Sequence, residues 1–344
     1  MQPSEAAAPP LPPPVGGSSP GAGPAPRRGY YKEHLGDLPK RLLEAVPPEV
    51  LRTLHERSAA RHFLIAARQT AILLFLGWVC VRYENPWIWV PAAALQGTVL
   101  LSFIILLHEV VHETVFRHRR PGWYRALALA YALPSSIAAS QFKRWHLDHH
   151  DELGSKTDDP KRAHLSPKRN ARWLKLLYLT PGLFVIYARA AGTEAKTYPA
   201  ALRRTIALER VTNVAIHLGI IAALWNFTDG GGDAVVRAWL VPLFGFFPAA
   251  FTVNRLGQHY WVDPTDPAKW GTRVDGSPVV NFLFLQSNHH IEHHYFPSVP
   301  LYRLGALNRR LRPFWERIGH PSRSYPVLLW KWFVENRAPH TNWE

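Results

Sequence analysis

Three short histidine clusters are the residues of this 344-residue sequence best suited to chemistry. The first consists of His108 and His112, four positions apart. The second and third share one spacing, a histidine followed three and four positions later by two more, and they comprise His146, His149, His150 and His290, His293, His294. Residues three or four positions apart lie on the same side of a helix. Each cluster therefore predicts a row of imidazoles on one helix face.

Neutral imidazole is a good ligand for iron, copper and zinc. Eight such ligands exceed what one metal ion can use, so the clusters predict two metal ions that share them. Two iron ions can activate dioxygen and remove hydrogen from an unactivated C–H bond, which side chains alone cannot do. We therefore expect two Fe ions as cofactors and O2 as co-substrate, in a cage of nitrogen ligands unlike the carboxylate-bridged sites of soluble four-helix bundles.

The elements that must position these clusters are membrane helices. The chain is 47% hydrophobic and has a net charge of +15, with 14 tryptophans. Its basic residues flank apolar stretches, which favours a membrane protein and no nucleic-acid partner. Stretches of about 20 apolar residues can span a bilayer as helices. They occur at residues 62–81, 87–107, 205–225 and 235–253, and they predict two helical hairpins.

Three other regions are predicted to lie outside these spans. Residues 1–28 contain nine prolines among Ala, Gly and Ser and predict a disordered tail, whereas residues 29–344 form one domain. Residues 123–142 are interrupted at Pro134 and residues 173–190 at Pro181 and Gly182. These two segments predict re-entrant or interfacial helices.

Charge then orients the chain. Lys and Arg concentrate in the N-terminal segment, in residues 117–204 and in the C-terminal region, so the positive-inside rule places all three, and both termini, in the cytoplasm. The histidine clusters fall on that side. The predicted fold is an all-α integral membrane protein whose two hairpins carry a cytoplasmic helical cap with a di-iron site. The Ala-, Arg- and Pro-rich composition is typical of a GC-rich bacterial genome, which would make the membrane the bacterial inner one.

The order HxxxH, HxxHH, HxxHH on one membrane face resembles the membrane fatty-acid desaturases and hydroxylases. The resemblance extends from about His62 to Pro300. It implies an O2-dependent di-iron oxidoreductase that introduces a double bond into a fatty acyl chain, using two external electrons. It also implies a ninth iron ligand, His259, with Asn254 as a water-mediated one. The implied ligands are His108, His112, His146, His149, His150, His259, His290, His293 and His294.

Carboxylates near the clusters are expected to accept the second N–H of ligating imidazoles. The candidates are Glu109, Asp148, Glu292 and one aspartate of the Asp158-Asp159 pair, with Asp158 preferred. His217 lies inside the third predicted span, where a packed histidine is expected more often than a ligand.

Other functions compete with desaturation. An acyl or carotenoid hydroxylase or ketolase, or a terminal-alkene-forming decarboxylase, would use the same cage. His108, Glu109 and His112 also match the HExxH pattern of zinc proteases, but such a site needs only one further ligand and leaves the HxxHH pair unexplained. The sequence carries no dinucleotide-binding fingerprint and no iron–sulfur cysteine set, so the electrons must come from a separate ferredoxin, rubredoxin or cytochrome b5-like protein.

Overall fold

The computed structural model describes residues 29–340, and every regular element in this part of the chain is helical. The predicted tail at residues 1–28 lies outside the described residues. Shorter 3-10 or π turns occur at Leu133–Ser135, Lys161–Leu165, Pro267–Lys269 and Trp330–Val334. The helices are α1 Tyr30–His34, α2 Leu38–Ala45, α3 Pro48–Leu54, α4 Ala59–Arg82, α5 Pro86–Val111, α6 Pro121–Ala132, α7 Ala139–Asp151, α8 Arg172–Tyr178, α9 Gly182–Ala195, α10 Ala200–Phe227, α11 Gly231–His259, α12 Pro278–Leu283, α13 His290–Tyr295, α14 Leu301–Arg317 and α15 Tyr325–Leu329.

Four of these helices, α4, α5, α10 and α11, are long and apolar enough to cross a membrane. They contain the four predicted spans, so the prediction of an all-helical protein with about four spans is confirmed. Each helix is longer than the apolar run that predicted it. The extensions matter, because they carry His108 at the end of α5 and His259 at the end of α11.

Local sequence explains where the first hairpin begins and turns. The Ser58 side chain accepts a hydrogen bond from the backbone N–H of Arg61 and caps α4. At the turn, Asn85 accepts one from the backbone N–H of Trp87, and Pro86 occupies the first helical position, where its missing N–H costs nothing. Two consecutive caps therefore start the two helices of the hairpin.

Helix α5 lies at the centre of the four spans. Its most apolar window is 72% buried, whereas the corresponding windows of α4 and α10 are 22% buried and face outward. A Cβ atom at Gly97 would lie 2.7 Å from Cβ of Phe246, so only glycine permits this approach between α5 and α11. Next to it, Gln96 donates a hydrogen bond of 2.9 Å to the carbonyl of Ala238.

The two interrupted segments are indeed broken. Residues 123–142 divide between α6 and α7, which are separated by a 3-10 turn containing Pro134 and by the left-handed residue Ser136. Residues 173–190 divide between α8 and α9, which meet at 87° and form a broken span or a re-entrant loop. Proline explains both breaks, since it removes a helical hydrogen bond and clashes with the preceding turn.

Three buried polar side chains on α10, four residues apart, face the break between α6 and α7. Glu209 accepts hydrogen bonds from the backbone N–H and the hydroxyl of Ser140. Asn213 donates to the carbonyl of Ile137 at 2.9 Å, and Nε2 of His217 lies 2.9 Å from the carbonyl of Leu133. Backbone groups freed by a break need such partners where water is excluded. His217 is therefore a packed histidine with a structural role, as predicted.

The shorter helices gather at the end of the bundle where α5 and α11 finish. Helix α7 packs against α5, and α13 packs against α11. Helix α14 packs against α13 and also against α2 and α3, while α1 lies on α7. This arrangement brings the separated histidine clusters to one place.

Candidate metal centre

Nine histidines form two adjacent groups at this end of the bundle. The first group holds five side chains and the second holds four, and within each group the candidate ligand nitrogens all lie within 4.8 Å of one another. They come from α5 and the residue that follows it, His112, and from α7, α11 and α13. The groups are His108, His112, His146, His150, His293 and His149, His259, His290, His294.

The division between the groups follows helix geometry. In each HxxHH cluster the first and last histidines, four positions apart, enter one group, and the middle histidine enters the other. A helix turns by about 100° per residue, so positions i and i+4 nearly coincide in direction while neighbours diverge. His149 and His150 therefore serve different groups. The repeated spacing thus lets one helix contribute to both groups.

The imidazole nitrogens converge closely. In the first group, Nε2 of His146 lies 2.7 Å from Nε2 of His112 and 3.0 Å from Nε2 of His150. In the second, Nε2 of His259 lies 3.0 Å from Nε2 of His149 and 2.9 Å from Nε2 of His290. All six of these rings thus direct Nε2 towards another ring of their group.

In two rings, the hydrogen bond of Nδ1 determines which nitrogen carries the proton. Nδ1 of His149 donates to the Asp159 carboxylate at 2.9 Å, and Nδ1 of His259 donates to the carbonyl of Trp270 at 2.8 Å. A carboxylate and a carbonyl oxygen can only accept a hydrogen bond, so the proton of each ring is on Nδ1. Nε2 of each ring therefore carries a lone pair. Two lone pairs 3.0 Å apart repel unless a cation lies between them. The residues present therefore fit a bound metal ion.

Burial also keeps these rings in the form that ligates. It lowers the pKa of each histidine of α7 and α13 in the two groups well below the usual range, and the charges of neighbouring groups lower it further. The imidazoles are consequently neutral at physiological pH, as metal binding requires.

The carboxylates that were expected to contact ligating imidazoles differ in the contacts they form. Glu109 is buried, accepts hydrogen bonds from Thr114 and from the backbone N–H of Leu301, and lies 3.9 Å from Nδ1 of His108. Glu292 is fully buried and accepts a hydrogen bond of 2.7 Å from Asn308. It thus joins α13 to α14 and contacts no nitrogen of the nine histidines among residues 29–340.

The other two candidates form contacts with residues close to them in sequence. Asp148 forms an ion pair of 2.7 Å with Arg144 on its own helix. Asp158 accepts hydrogen bonds from the hydroxyls of Ser155 and Thr157 and closes a local turn. The aspartate that contacts a ring is its neighbour Asp159, which is buried. Adjacent side chains diverge, and only the tertiary path of the loop decides which of them reaches His149.

The hydrogen bonds of the Asn254 side chain go to polar side chains: its amide N–H donates to the Ser287 hydroxyl at 2.7 Å, and its amide oxygen accepts from Gln258 at 3.2 Å. Sequence reasoning missed the Trp270 carbonyl, which fixes His259, because a backbone group leaves no mark in the sequence. It also missed Lys161 and Arg255, which line the cavity described next.

A cavity of about 640 Å³ adjoins the histidines, within the range of lipid- and drug-sized sites. At one end its wall includes His108, His146, His290 and His293, which belong to the two histidine groups. Its other walls come from α5, α9, α10 and α11. Those walls are largely apolar and include Leu101, Leu218, Ile221, Leu243 and Phe244. The cavity can hold an aliphatic chain with one end beside the metal centre.

Known proteins have related sequences. Residues 84–326 match the sequence pattern of the family described as fatty acid desaturase, and this range contains all nine histidines. The match begins at the turn of the first hairpin and ends in α15, so it covers three of the four spans and more than half of the chain.

Individual relatives are more distant. The sphingolipid delta(4)-desaturase/C4-monooxygenase DES2 of Homo sapiens is 25% identical over 261 residues, which are 73% of this chain and 73% of the relative. The Bos taurus DES2 is 24% identical over 75% of this chain and 76% of its own length. The sphingolipid delta(4)-desaturase DES1 of Drosophila melanogaster is 25% identical over 67% and 68%. The chain therefore belongs to the fatty acid desaturase family and is a membrane enzyme of the oxidoreductase class, as its histidine clusters predicted.

Proposed function

We propose that the protein is an O2-dependent di-iron enzyme that introduces a double bond into a long-chain acyl lipid. The observation that carries the proposal is the position of two groups of imidazoles, five and four, at one end of a largely apolar cavity. When bound there, two iron ions would supply the activation of dioxygen and the removal of hydrogen from a C–H bond. The reaction would consume one O2, two electrons and two protons, and it would release two waters.

The residues of the chain would hold and orient the reactants. The nine histidines would ligate the metals, and Asp159 and the Trp270 carbonyl would fix the rings of His149 and His259. The apolar walls of the cavity would hold the acyl chain and exclude water from the reacting carbon. None of these tasks needs a nucleophilic side chain.

Hydroxylation is the second candidate. The names of the mammalian relatives join a desaturase with a C4-monooxygenase, so one scaffold of this family is described with both outcomes. Either outcome starts with hydrogen removal, and the position of the acyl chain in the cavity would decide between them. A decarboxylase would use the same cage.

Metal and product analysis tests the proposal. Detergent-purified, chelator-washed protein is expected to contain about two irons per chain, since nine imidazoles can complete two sites. Reconstitution with an electron donor and acyl lipids is expected to give a product that has lost two hydrogens. Gain of one oxygen would favour the hydroxylase, and loss of one carbon the decarboxylase. One zinc without iron would contradict the proposal and favour the HExxH protease.

We also propose that the metal centre and both termini face the cytoplasm, as the distribution of Lys and Arg favours. The relatives are animal proteins, so the expected bacterial inner membrane rests on composition alone. On the proposed cytoplasmic side, α14 exposes Arg309, Arg310, Arg312 and Arg317. This basic face would attract an acidic electron donor by electrostatic steering.

Charge reversal tests the docking face. Changing Arg309, Arg310 and Arg312 to Glu is expected to slow electron-donor-dependent turnover by about tenfold or more at low ionic strength, and less at high salt, because screening weakens steering. Turnover driven by a small chemical reductant should stay unchanged. The exposed lysine Lys40, changed to Glu on α2, serves as a control. If the triple variant and the wild type had equal donor-dependent turnover at low salt, this face would be excluded as the docking site of the electron donor.

A further inference from the structure

The end of the cavity beside the histidines carries two cations that form no direct ion pair with a carboxylate among residues 29–340. Arg255 is buried in α11, one turn before His259, and Lys161 is partly buried two residues after Asp159. Both line the cavity. No carboxylate among residues 29–340 lies within ion-pair distance of either. Buried charges are normally paired, because removing them from water is costly.

The contacts of these two cations are with neutral groups. Arg255 donates to the hydroxyl of Tyr187 and lies 5.7 Å from the centre of its ring. The ammonium of Lys161 donates to the Gln258 side chain at 3.3 Å. Gln258 lines the cavity as well, so a guanidinium, an ammonium and an amide surround one end of it.

The electrostatics of this end favour an anion. The nine histidines are neutral and bring no negative charge. The Glu109 carboxylate also lines the cavity, but it accepts hydrogen bonds from Thr114 and from the backbone N–H of Leu301 and forms no ion pair with either cation. Burial and the nearby Arg255 guanidinium both lower the pKa of Lys161, as expected where positive charge is in excess, although Asp159 opposes the effect. The opposite walls, at Leu218, Ile221 and Phe244, are apolar. The cavity thus pairs a cationic end with a hydrocarbon-like end.

We propose that Arg255 and Lys161 bind the carboxylate of a long-chain fatty acid at the metal end of the cavity, with the acyl tail extending to the apolar end. This deepens the proposed function and rests on it. An arginine fork and an ammonium are suited to a carboxylate. The C–H bonds that reach the metal centre are then those a few carbons from the carboxylate, and the enzyme acts near the head of its substrate.

Direct binding tests the assignment without turnover. The purified holoenzyme, kept anaerobic in detergent, is dialysed to equilibrium against radiolabelled dodecanoate or dodecanol. Dodecanoate is expected to bind about tenfold to a hundredfold more tightly than dodecanol, the range for hydrogen bonds to charged groups. Arg255→Gln and Lys161→Gln should each reduce this preference by about tenfold and leave dodecanol binding unchanged.

Two variants control for other effects. Arg255→Lys keeps the charge and should retain part of the preference, even if the neutral variant at this position does not fold. Arg210→Gln removes a cation that also lines the cavity but is exposed and donates to Gln141, and the preference should not change.

The outcomes separate this assignment from the proposed function. If dodecanoate and dodecanol bind equally, or if both glutamine variants keep the preference, the carboxylate site is excluded while lipid binding stands. If acetate displaces dodecanoate at comparable concentration, the cations take a free small anion and not the head of the substrate. If neither lipid binds, the proposed acyl-lipid function itself fails.

Discussion

Replacing His293 with alanine is expected to lower iron content from about two per chain towards one and to reduce turnover by more than about a hundredfold. His293 belongs to the group of five, and its Nε2 lies 3.0 Å from Nε2 of His150. Removing a residue that is hydrogen-bonded to a metal ligand already lowers metal affinity or activity tenfold to a hundredfold. Removing a ligand itself should lower them further. Elemental mass spectrometry and product formation provide the measurements.

His289→Ala is the matched control for this prediction. His289 is as buried as His293 and lies four positions away, but it belongs to neither histidine group. Iron content in this variant should stay at the wild-type value. Membrane insertion should be normal in both variants, because neither residue lies in a span. Full iron content and full activity in His293→Ala would remove α13 from the metal centre and contradict the two-group arrangement.

Asp159→Asn is expected to weaken iron retention and turnover by roughly tenfold to a hundredfold. The amide oxygen can still accept the N–H of His149, so the ring orientation should survive. The lost negative charge makes His149 a less basic ligand, and this is the source of the effect. Titration with a chelator, followed by iron content, measures retention separately from turnover.

The adjacent aspartate supplies an internal comparison. Asp158→Asn changes the same charge one residue away, where the carboxylate only closes a turn with Ser155 and Thr157. Its iron retention should match the wild type. If both variants lost iron equally, the negative charge of the loop would determine iron retention and the hydrogen bond from His149 to Asp159 would not.

The spans and histidine clusters were predictable because their signals are local. An apolar run of bilayer length and a spacing of three or four residues both act within one helix. The sequence therefore located all four long helices and all nine histidines that the structure brings together. It could not divide His149 from His150 between two groups without the positions of α5, α11 and α13.

What escaped prediction depends on how distant segments meet. Asp158 and Asp159 are chemically identical, and only the path of the loop brings Asp159 to His149. Arg255 and Lys161 are 94 positions apart and form no recognisable pattern, yet both line one end of the cavity. The Trp270 carbonyl is a backbone group. Sites built from such contacts become visible only once the fold is known.

The polar stripe on α10 has a consequence for how the protein is made. A helix that carries Glu209, Asn213 and His217 is costly to place in lipid while these groups lack partners. Their hydrogen-bond partners lie at residues 133–140, and Glu209 also forms an ion pair with Arg125; all of these residues leave the ribosome before α10 does. We expect the α6–α7 segment to be in place before α10 inserts, so that its polar groups can pair with those of α10 during insertion of this third span.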